Sequence, residues 1–226
     1  MRGIAYGVGV GPGDPELMTQ KAVRLIREND VIAFPGREPG ESVAYRIAAE
    51  AVPELPQKEL VALNMPMLRD RAALAAEHRS AARLLERYLD QGRNVVFLTL
   101  GDPTLYCTFS YLQHFLEADG YASEPVPGVT SFCAAAARLN TPLAEWDEQV
   151  HIIPASHGGG SLPDGQGSCV LMKPAGRMTE LKRMLKESGR RVMMVENCSM
   201  ENERIYRTLE EFPDDPGYFS LIIARK

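Results

Sequence analysis

The sequence has little cysteine, and its four cysteines are far apart along 226 residues. Cys107, Cys133, Cys169 and Cys198 form no CxxC pair, which argues against a structural zinc site and predicts reduced thiols. No apolar run reaches the length that crosses a membrane, and the first residues lack the charged, apolar and cleavage regions of a signal peptide. We therefore expect a cytoplasmic protein with no membrane partner.

Positive charge and histidine are also scarce. The chain has 25 Lys and Arg against 30 Asp and Glu, a net charge of -5, which disfavours general nucleic-acid binding. The four histidines form no cluster, and Glu145, Asp147 and Glu148 lack the spacing of metal ligands, so we expect no protein-bound metal. A hydrophobic content of 45% and a charged content of 24% are typical of globular domains.

Glycine is concentrated after the first predicted strand, Ile4–Val10. A GxGxxG dinucleotide fingerprint is absent, because no register that starts at Gly7, Gly9 or Gly11 ends on glycine. A P-loop is absent too, because no Gly-Lys-Ser/Thr follows, and the prolines of this loop remove amide donors that a phosphate would use. The loop is either a stiff strand-to-helix connection or part of a different kind of site.

The run Val95–Leu100 is apolar and rich in β-favouring residues, and it leads directly into Gly101-Asp102-Pro103. This pattern predicts a strand that is buried on both faces, as in a parallel sheet. Ligands of open α/β sheets bind beyond the carboxyl ends of the strands, where Asp102 would lie. Asp102 is therefore a candidate site residue, and the alternative is an ordinary turn cap.

Alternating strands and helices in the first half predict a parallel sheet. Ser42 is expected to cap a helix that runs through Ala51, and a long helix is expected from about Arg69 to Gln91. The segment Glu124–Phe132 contains two prolines and a glycine, so we interpret it as a semi-rigid connector. We accordingly expect two domains, 1–123 and 124–226.

The second half begins a new α/β series. A mobile surface loop is predicted at Ser156–Gly167, which is rich in glycine, serine and proline. Strands are predicted at Val150–Pro154, Cys169–Lys173, Arg191–Val195 and Tyr218–Ala224, with a helix at Thr179–Ser188.

Four loops that follow predicted strands, taken in order, resemble the tetrapyrrole methylase family over essentially the whole chain. They are Gly11–Leu17, Gly101–Pro103, Pro127–Ser131 and Glu196–Cys198. The resemblance implies two αβα domains, each on a largely parallel or mixed sheet. It also implies an S-adenosylmethionine-dependent methyltransferase that binds this cofactor in the cleft between its domains and releases S-adenosylhomocysteine.

The resemblance also implies the residues of the site. Transferred position by position, the cofactor contacts would be Pro12, Leu100, Gly101, Asp102, Leu105, Thr130, Ser131, Met172, Cys198 and Ser220. The implied acceptor is a reduced tetrapyrrole, precorrin-2 or cobalt-sirohydrochlorin, methylated at the C-20 meso carbon. Asp102 is the candidate catalytic residue, and Tyr106, Lys173 and Arg204 are candidates for binding the acceptor, the two cations through its carboxylates.

Other functions stay open at this point. A family member that methylates another ring position is the nearest alternative, and diphthine synthase or a ribosomal-RNA ribose methylase is more distant. The acidic charge balance disfavours the RNA enzyme. A non-catalytic sensor that binds the cofactor or a tetrapyrrole is a different class. The resemblance further implies a homodimer.

Overall fold

The computed structural model describes residues 1–66, 70–155, 162–163 and 167–226. The chain divides into two compact units, Met1–Thr130 and Ser131–Lys226, and each unit contains one five-stranded sheet. No helix in these ranges is long and apolar enough to cross a membrane.

The first unit alternates strands and helices. Its strands are β1 (Ile4–Gly9), β2 (Val31–Pro35), β3 (Glu59–Leu63), β4 (Val95–Thr99) and β5 (Ala122–Val126). Its helices are α1 (Gln20–Glu28), α2 (Val43–Ala51), α3 (Arg71–Asp90) and α4 (Phe109–Ala118). The strand order is β3-β2-β4-β1-β5 and every pairing is parallel, which confirms the parallel sheet.

β4 lies in the middle of this sheet, and all five of its residues are buried. Val96 and Leu98 pack into one apolar core, with residues of α1 and α2. Val95 and Phe97 pack into a second core on the other side, with residues of α3 and α4. The prediction of a strand buried on both faces is therefore confirmed.

Side-chain caps define where the helices begin. The Ser42 hydroxyl accepts a hydrogen bond from the Tyr45 amide, which confirms the predicted cap of α2. Thr19 caps α1 in the same way, accepting from the Ala22 amide. Asp70 caps α3, so this helix begins at Arg71, and the predicted start at Arg69 lies outside the described residues.

The second unit has a mixed sheet. Its strands are β6 (Val150–Pro154), β7 (Ser168–Met172), β8 (Arg191–Glu196), β9 (Arg204–Tyr206) and β10 (Ser220–Arg225), and its helices are α5 (Ser131–Arg138) and α6 (Met178–Ser188). The order is β6-β7-β10-β8-β9, and only β6 and β7 pair in parallel. Most of the loop predicted at Ser156–Gly167 lies outside the described residues.

The predicted connector differs from the structure. Its first residues belong to β5, which pairs with β1 at the edge of the first sheet. The boundary between the compact units consequently falls after Thr130, several residues later than the expected position. An edge strand tolerates Pro125 because its missing amide removes no hydrogen bond from the interior of the sheet.

Candidate functional site

Three loops of the first unit meet at the carboxyl edge of its sheet. The loops that follow β1 and β4 are joined by two reciprocal hydrogen bonds. The Gly101 amide donates to the Gly11 carbonyl oxygen (2.8 Å), and the Gly11 amide donates to the Gly101 carbonyl oxygen (3.3 Å). Both glycines adopt a left-handed φ, which favours glycine there. Pro12 is buried directly beside this bridge.

The loop after β5 packs against the same bridge through backbone alone. A Cβ atom on Gly128 would lie within 3.0 Å of the Gly101 carbonyl oxygen and of the Gly9 backbone. A Cβ atom on Gly9 would likewise lie within 3.0 Å of Gly101 and Gly128. The backbones of three loops therefore pack closely together at Gly9, Gly101 and Gly128, and we call these three residues the glycine cradle.

The Asp102 carboxylate fastens two of these loops together. Its Oδ1 accepts hydrogen bonds from the amide (2.8 Å) and the hydroxyl of Thr104, and its Oδ2 accepts from the Gly128 amide (3.0 Å). Partial burial on its own would raise the pKa of Asp102, but these hydrogen bonds outweigh it and hold the pKa below its ordinary value. Asp102 is thus a fixed carboxylate at the carboxyl end of β4.

Thr130 has a hydroxyl that is buried without a hydrogen-bond partner among the described residues. Buried polar atoms are nearly always hydrogen-bonded, so this hydroxyl is a candidate contact for a ligand. Thr130 follows the cradle glycine Gly128 by two residues. The protein therefore offers a polar contact at the same edge of the sheet.

The residues on either side of Asp102 include further predicted site residues of this unit. Leu100 packs partly against the first apolar core, and Leu105 is half-buried. Tyr106 is exposed and adopts a φ of 48°, a conformation that is costly for a residue with a side chain and recurs at functional sites. The structure thus brings Pro12, Leu100, Gly101, Asp102, Leu105, Tyr106 and Thr130 to one end of the first unit.

In the second unit, the predicted site residues of β7 to β10 lie at the same end of neighbouring strands. The antiparallel register pairs Met172 with Leu221 and Ser220 with Glu196, so the end of β7, the start of β10 and the end of β8 are neighbours. Met172, Lys173, Ser220 and Cys198 therefore lie near one another, and Arg204 pairs with Glu196 from β9. Ser131 begins α5 of this unit.

Cys198 lies in a loop that is held by the partly buried carboxylate of Glu203. Glu203 accepts a hydrogen bond from the Ser199 amide (2.7 Å). It also forms a bidentate ion pair with the Arg138 guanidinium. Burial raises the pKa of the Cys198 thiol, which keeps it protonated at neutral pH. This is consistent with a thiol that does not act as a nucleophile.

Glu196 lies in one of the four loops that carry the family resemblance, but no individual role was predicted for its side chain. Its side chain is only 6% exposed, and its carboxylate accepts hydrogen bonds from the Tyr206 hydroxyl (2.6 Å) and the Gly217 amide (2.7 Å). The signal that could have identified it is an acid at the end of an apolar run, the same signal that identified Asp102. Glu196 fixes the turn that precedes β10.

Comparisons with known proteins agree on one family. The model of the family described as tetrapyrrole (corrin/porphyrin) methylases matches residues 5–213. A cobalt-precorrin-2 C(20)-methyltransferase of Salmonella typhimurium is 33% identical, covering 100% of this chain and 98% of the relative. A precorrin-2 C(20)-methyltransferase of Sinorhizobium sp is 30% identical, covering 98% and 95%.

A solved structure gives the same fold. The uroporphyrin-III C-methyl transferase of Thermus thermophilus, complexed with S-adenosylhomocysteine, superimposes with a TM-score of 0.72. It is 28% identical in sequence, and the alignment covers 99% of this chain and 92% of that one.

Proposed function

The chain belongs to the tetrapyrrole (corrin/porphyrin) methylase family, and from this premise we propose that it methylates the C-20 meso carbon of precorrin-2 or its cobalt-bound form. The methyl donor is S-adenosylmethionine, and the reaction belongs to cobalamin biosynthesis. Two relatives are named for methylation at C-20, and each alignment covers nearly the full length of this chain and of the relative. This supports the position on the ring.

The orphaned hydroxyl of Thr130 beside the glycine cradle supports cofactor binding at this end of the first sheet. Loops packed through glycine backbone leave main-chain polar groups close to a ligand, and the buried hydroxyl needs a partner. We assign the methionine and ribose parts of the cofactor to Leu100, Gly101, Asp102 and Leu105. Pro12 would line the cofactor site, and Thr130 and Ser131 would add polar contacts. We assign the nucleoside of the cofactor to Met172, Cys198 and Ser220, and the acceptor to Tyr106, Lys173 and Arg204.

The bound cofactor supplies an activated methyl group on a sulfonium. The protein then has to hold donor and acceptor in line and exclude water, and such positioning is worth up to ~7–11 kcal/mol. Asp102 presents a fixed negative charge, which steadies positive charge during the transfer. Its lowered pKa makes it a weak proton acceptor, so electrostatic stabilisation is the role we propose for it.

Incubation of the purified protein with S-adenosylmethionine and either metal-free or cobalt-bound dimethylated tetrapyrrole tests the function. We expect the mass of the acceptor to rise by one methyl group, located at C-20 by NMR of the product. Methylation at another carbon would assign the chain to a different ring position. Binding of both ligands without transfer would make it a sensor.

We further propose that the protein is a cytoplasmic homodimer. None of the four cysteines forms a disulfide bond in the described part of the chain, which supports a reducing compartment. Light scattering coupled to size-exclusion chromatography is expected to give twice the mass of one chain. A mass equal to a single chain across a range of protein concentrations would contradict the dimer.

A further inference from the structure

Two neighbouring aromatic residues immediately before β10 are partly exposed to solvent. Tyr218 is 42% exposed and Phe219 is 37% exposed, and their ring centroids are 5.2 Å apart at an angle of 79°. Burial of such rings is strongly favourable, so a pair left exposed together marks a surface that contacts something else.

The turn that carries the two rings is held rigidly. Glu196 accepts the Gly217 amide (2.7 Å), and the Asn197 amide donates to the Phe219 carbonyl oxygen (2.9 Å). The Ser220 hydroxyl donates to the Gly217 carbonyl oxygen (2.6 Å) and lies 3.3 Å from Glu196. Because the backbone is fixed from three directions, the rings are presented in a defined position and do not have to be ordered when a ligand binds.

A cation lies over one of these rings. The Lys173 ammonium is 5.2 Å from the centroid of Tyr218, and the Lys173 amide donates to the Ser220 carbonyl oxygen (3.2 Å). Lys173 adopts a φ of 57°, which is strained for a non-glycine residue and occurs where β7 ends. Within the described ranges, the ammonium takes part in no ion pair. Its charge is therefore available to an anion that approaches the rings.

We propose that Tyr218, Phe219 and Lys173 form a binding platform for the tetrapyrrole acceptor. The conjugated pyrrole framework contacts the two rings, and a peripheral carboxylate pairs with the Lys173 ammonium. This assignment rests on the proposed function and adds two aromatic contacts to it. The complementarity is local: the Lys173 ammonium offers a positive charge to an acceptor carboxylate, on a chain whose net charge is -5.

Binding measurements on separate ligands test the platform. The probe is cobalt-sirohydrochlorin, titrated by absorbance in the presence of S-adenosylhomocysteine so that no methyl group can be transferred. Calorimetric titration with S-adenosylhomocysteine alone gives the cofactor affinity. The variants are Tyr218→Ala, Tyr218→Leu, Lys173→Gln and Lys173→Arg. Trp146→Ala is the matched control, because Trp146 is a fully exposed aromatic residue of the same unit.

We expect Tyr218→Ala and Lys173→Gln each to weaken acceptor binding about tenfold. Cofactor affinity should stay within about twofold, Lys173→Arg should recover most of the acceptor affinity that Lys173→Gln loses, and Trp146→Ala should bind both ligands normally. Tyr218→Leu keeps an apolar side chain in the turn, so a similar loss in that variant attributes the effect to the ring rather than to misfolding.

Two results would overturn the platform: unchanged acceptor affinity in the variants, or a loss confined to S-adenosylhomocysteine, which would place the rings against the nucleoside. Either result leaves the proposed function intact if the wild type still transfers a methyl group to C-20. Conversely, a wild type that binds the acceptor through these residues without transfer would refute the proposed function and keep the platform.

Discussion

Asp102 uses both of its carboxylate oxygens within the first unit. Oδ1 accepts from Thr104 and Oδ2 accepts from the Gly128 amide, so the side chain is both a charge and a clamp between two loops. An amide side chain would turn its NH₂ group towards one of these donors and leave a donor unpaired. Substitution of this residue therefore has an electrostatic and a structural consequence, and different measurements separate them.

The electrostatic consequence appears in turnover. We expect Asp102→Asn to lower kcat by about tenfold or more, because a fixed charge beside the reacting groups is lost. The dissociation constant for S-adenosylhomocysteine should rise much less. Thr104→Val is the matched control, since it removes one hydrogen bond to Asp102 and keeps the charge. Equal losses of kcat and cofactor affinity in Asp102→Asn would show that Asp102 only binds the cofactor.

The structural consequence depends on pH. The folded-state pKa of Asp102 lies below its ordinary value, so ionisation of this group stabilises the fold. That stabilisation is complete above the unfolded-state pKa of about 3.9 and disappears as the pH falls through the lower folded-state value. The difference in the free energy of unfolding between wild type and Asp102→Asn should be constant near neutral pH and shrink below about pH 4. Urea unfolding across this range measures it, and a difference independent of pH would contradict the assignment.

Thr130 gives a separate prediction, because its hydroxyl has no hydrogen-bond partner in the described part of the chain. Thr130→Val keeps the shape and removes the orphaned oxygen, so the free energy of unfolding without ligand should stay constant or rise by about 1 kcal/mol. The affinity for S-adenosylhomocysteine should fall about fivefold if the cofactor supplies the missing partner. Calorimetric titration and thermal unfolding of the same preparations distinguish the two effects. A destabilised variant with normal affinity would show that the hydroxyl serves the fold.

At the scale of single elements, sequence patterns predicted the elements whose signals are local. β4 and the Ser42 cap follow from an apolar run and from a hydroxyl before a helix. β5 was missed because Pro125 interrupts its pattern, which only an edge position tolerates. β9 has three residues, too few for a periodicity. The antiparallel direction of β10 depends on its neighbours, which side-chain alternation does not reveal.

The candidate site shows the same division. Asp102 was predictable, because it follows a buried strand directly in the sequence. The orphaned Thr130 hydroxyl was not, because whether a hydroxyl is buried and has a hydrogen-bond partner depends on the folded structure. Glu196 resembles Asp102 in sequence position, but its partners Tyr206 and Gly217 come from later segments. The sequence therefore predicts which residue types follow the strands, whereas only the folded structure shows which polar groups have hydrogen-bond partners.

The close packing of three loops at the glycine cradle leaves no room for a side chain at Gly128. Gly128→Ala would place a methyl group against the Gly101 carbonyl oxygen, where no flexible side chain can move aside. We expect destabilisation by about 1–3 kcal/mol and loss of cofactor binding. Gly40→Ala is the matched control, since a Cβ atom at Gly40 meets nothing within 4 Å. Equal behaviour of the two variants in thermal unfolding and calorimetry would show that the cradle is not tightly packed.

At the scale of the whole molecule, the balance of charge opposes the substrate that we propose. A net charge of -5 repels a polycarboxylate at long range, whereas the Lys173 ammonium attracts it at short range. The Debye length falls from about 30 Å at 0.01 M to about 8 Å at 0.15 M ionic strength, so salt screens the distant charges most. Encounter and final binding should therefore respond differently to salt.

The association rate constant of cobalt-sirohydrochlorin is expected to rise by about two- to fivefold between 0.01 M and 0.15 M ionic strength. Stopped-flow absorbance in the presence of S-adenosylhomocysteine measures it, and an uncharged ligand of similar size is the control. A rate constant that falls with salt would mean that local cations, and not the net charge, govern the encounter.

The position of β10 between β7 and β8 also determines the order in which the chain can fold during synthesis. The first sheet needs only residues up to Val126, so it can form while the ribosome is still translating the remainder. β7 and β8 are synthesised before β10, but they do not pair with each other. Each pairs with β10, so the sheet is joined only when Ser220–Arg225 inserts between them. A nascent chain paused before that point would carry one finished sheet and two unjoined halves of another, with open strand edges for chaperones to recognise.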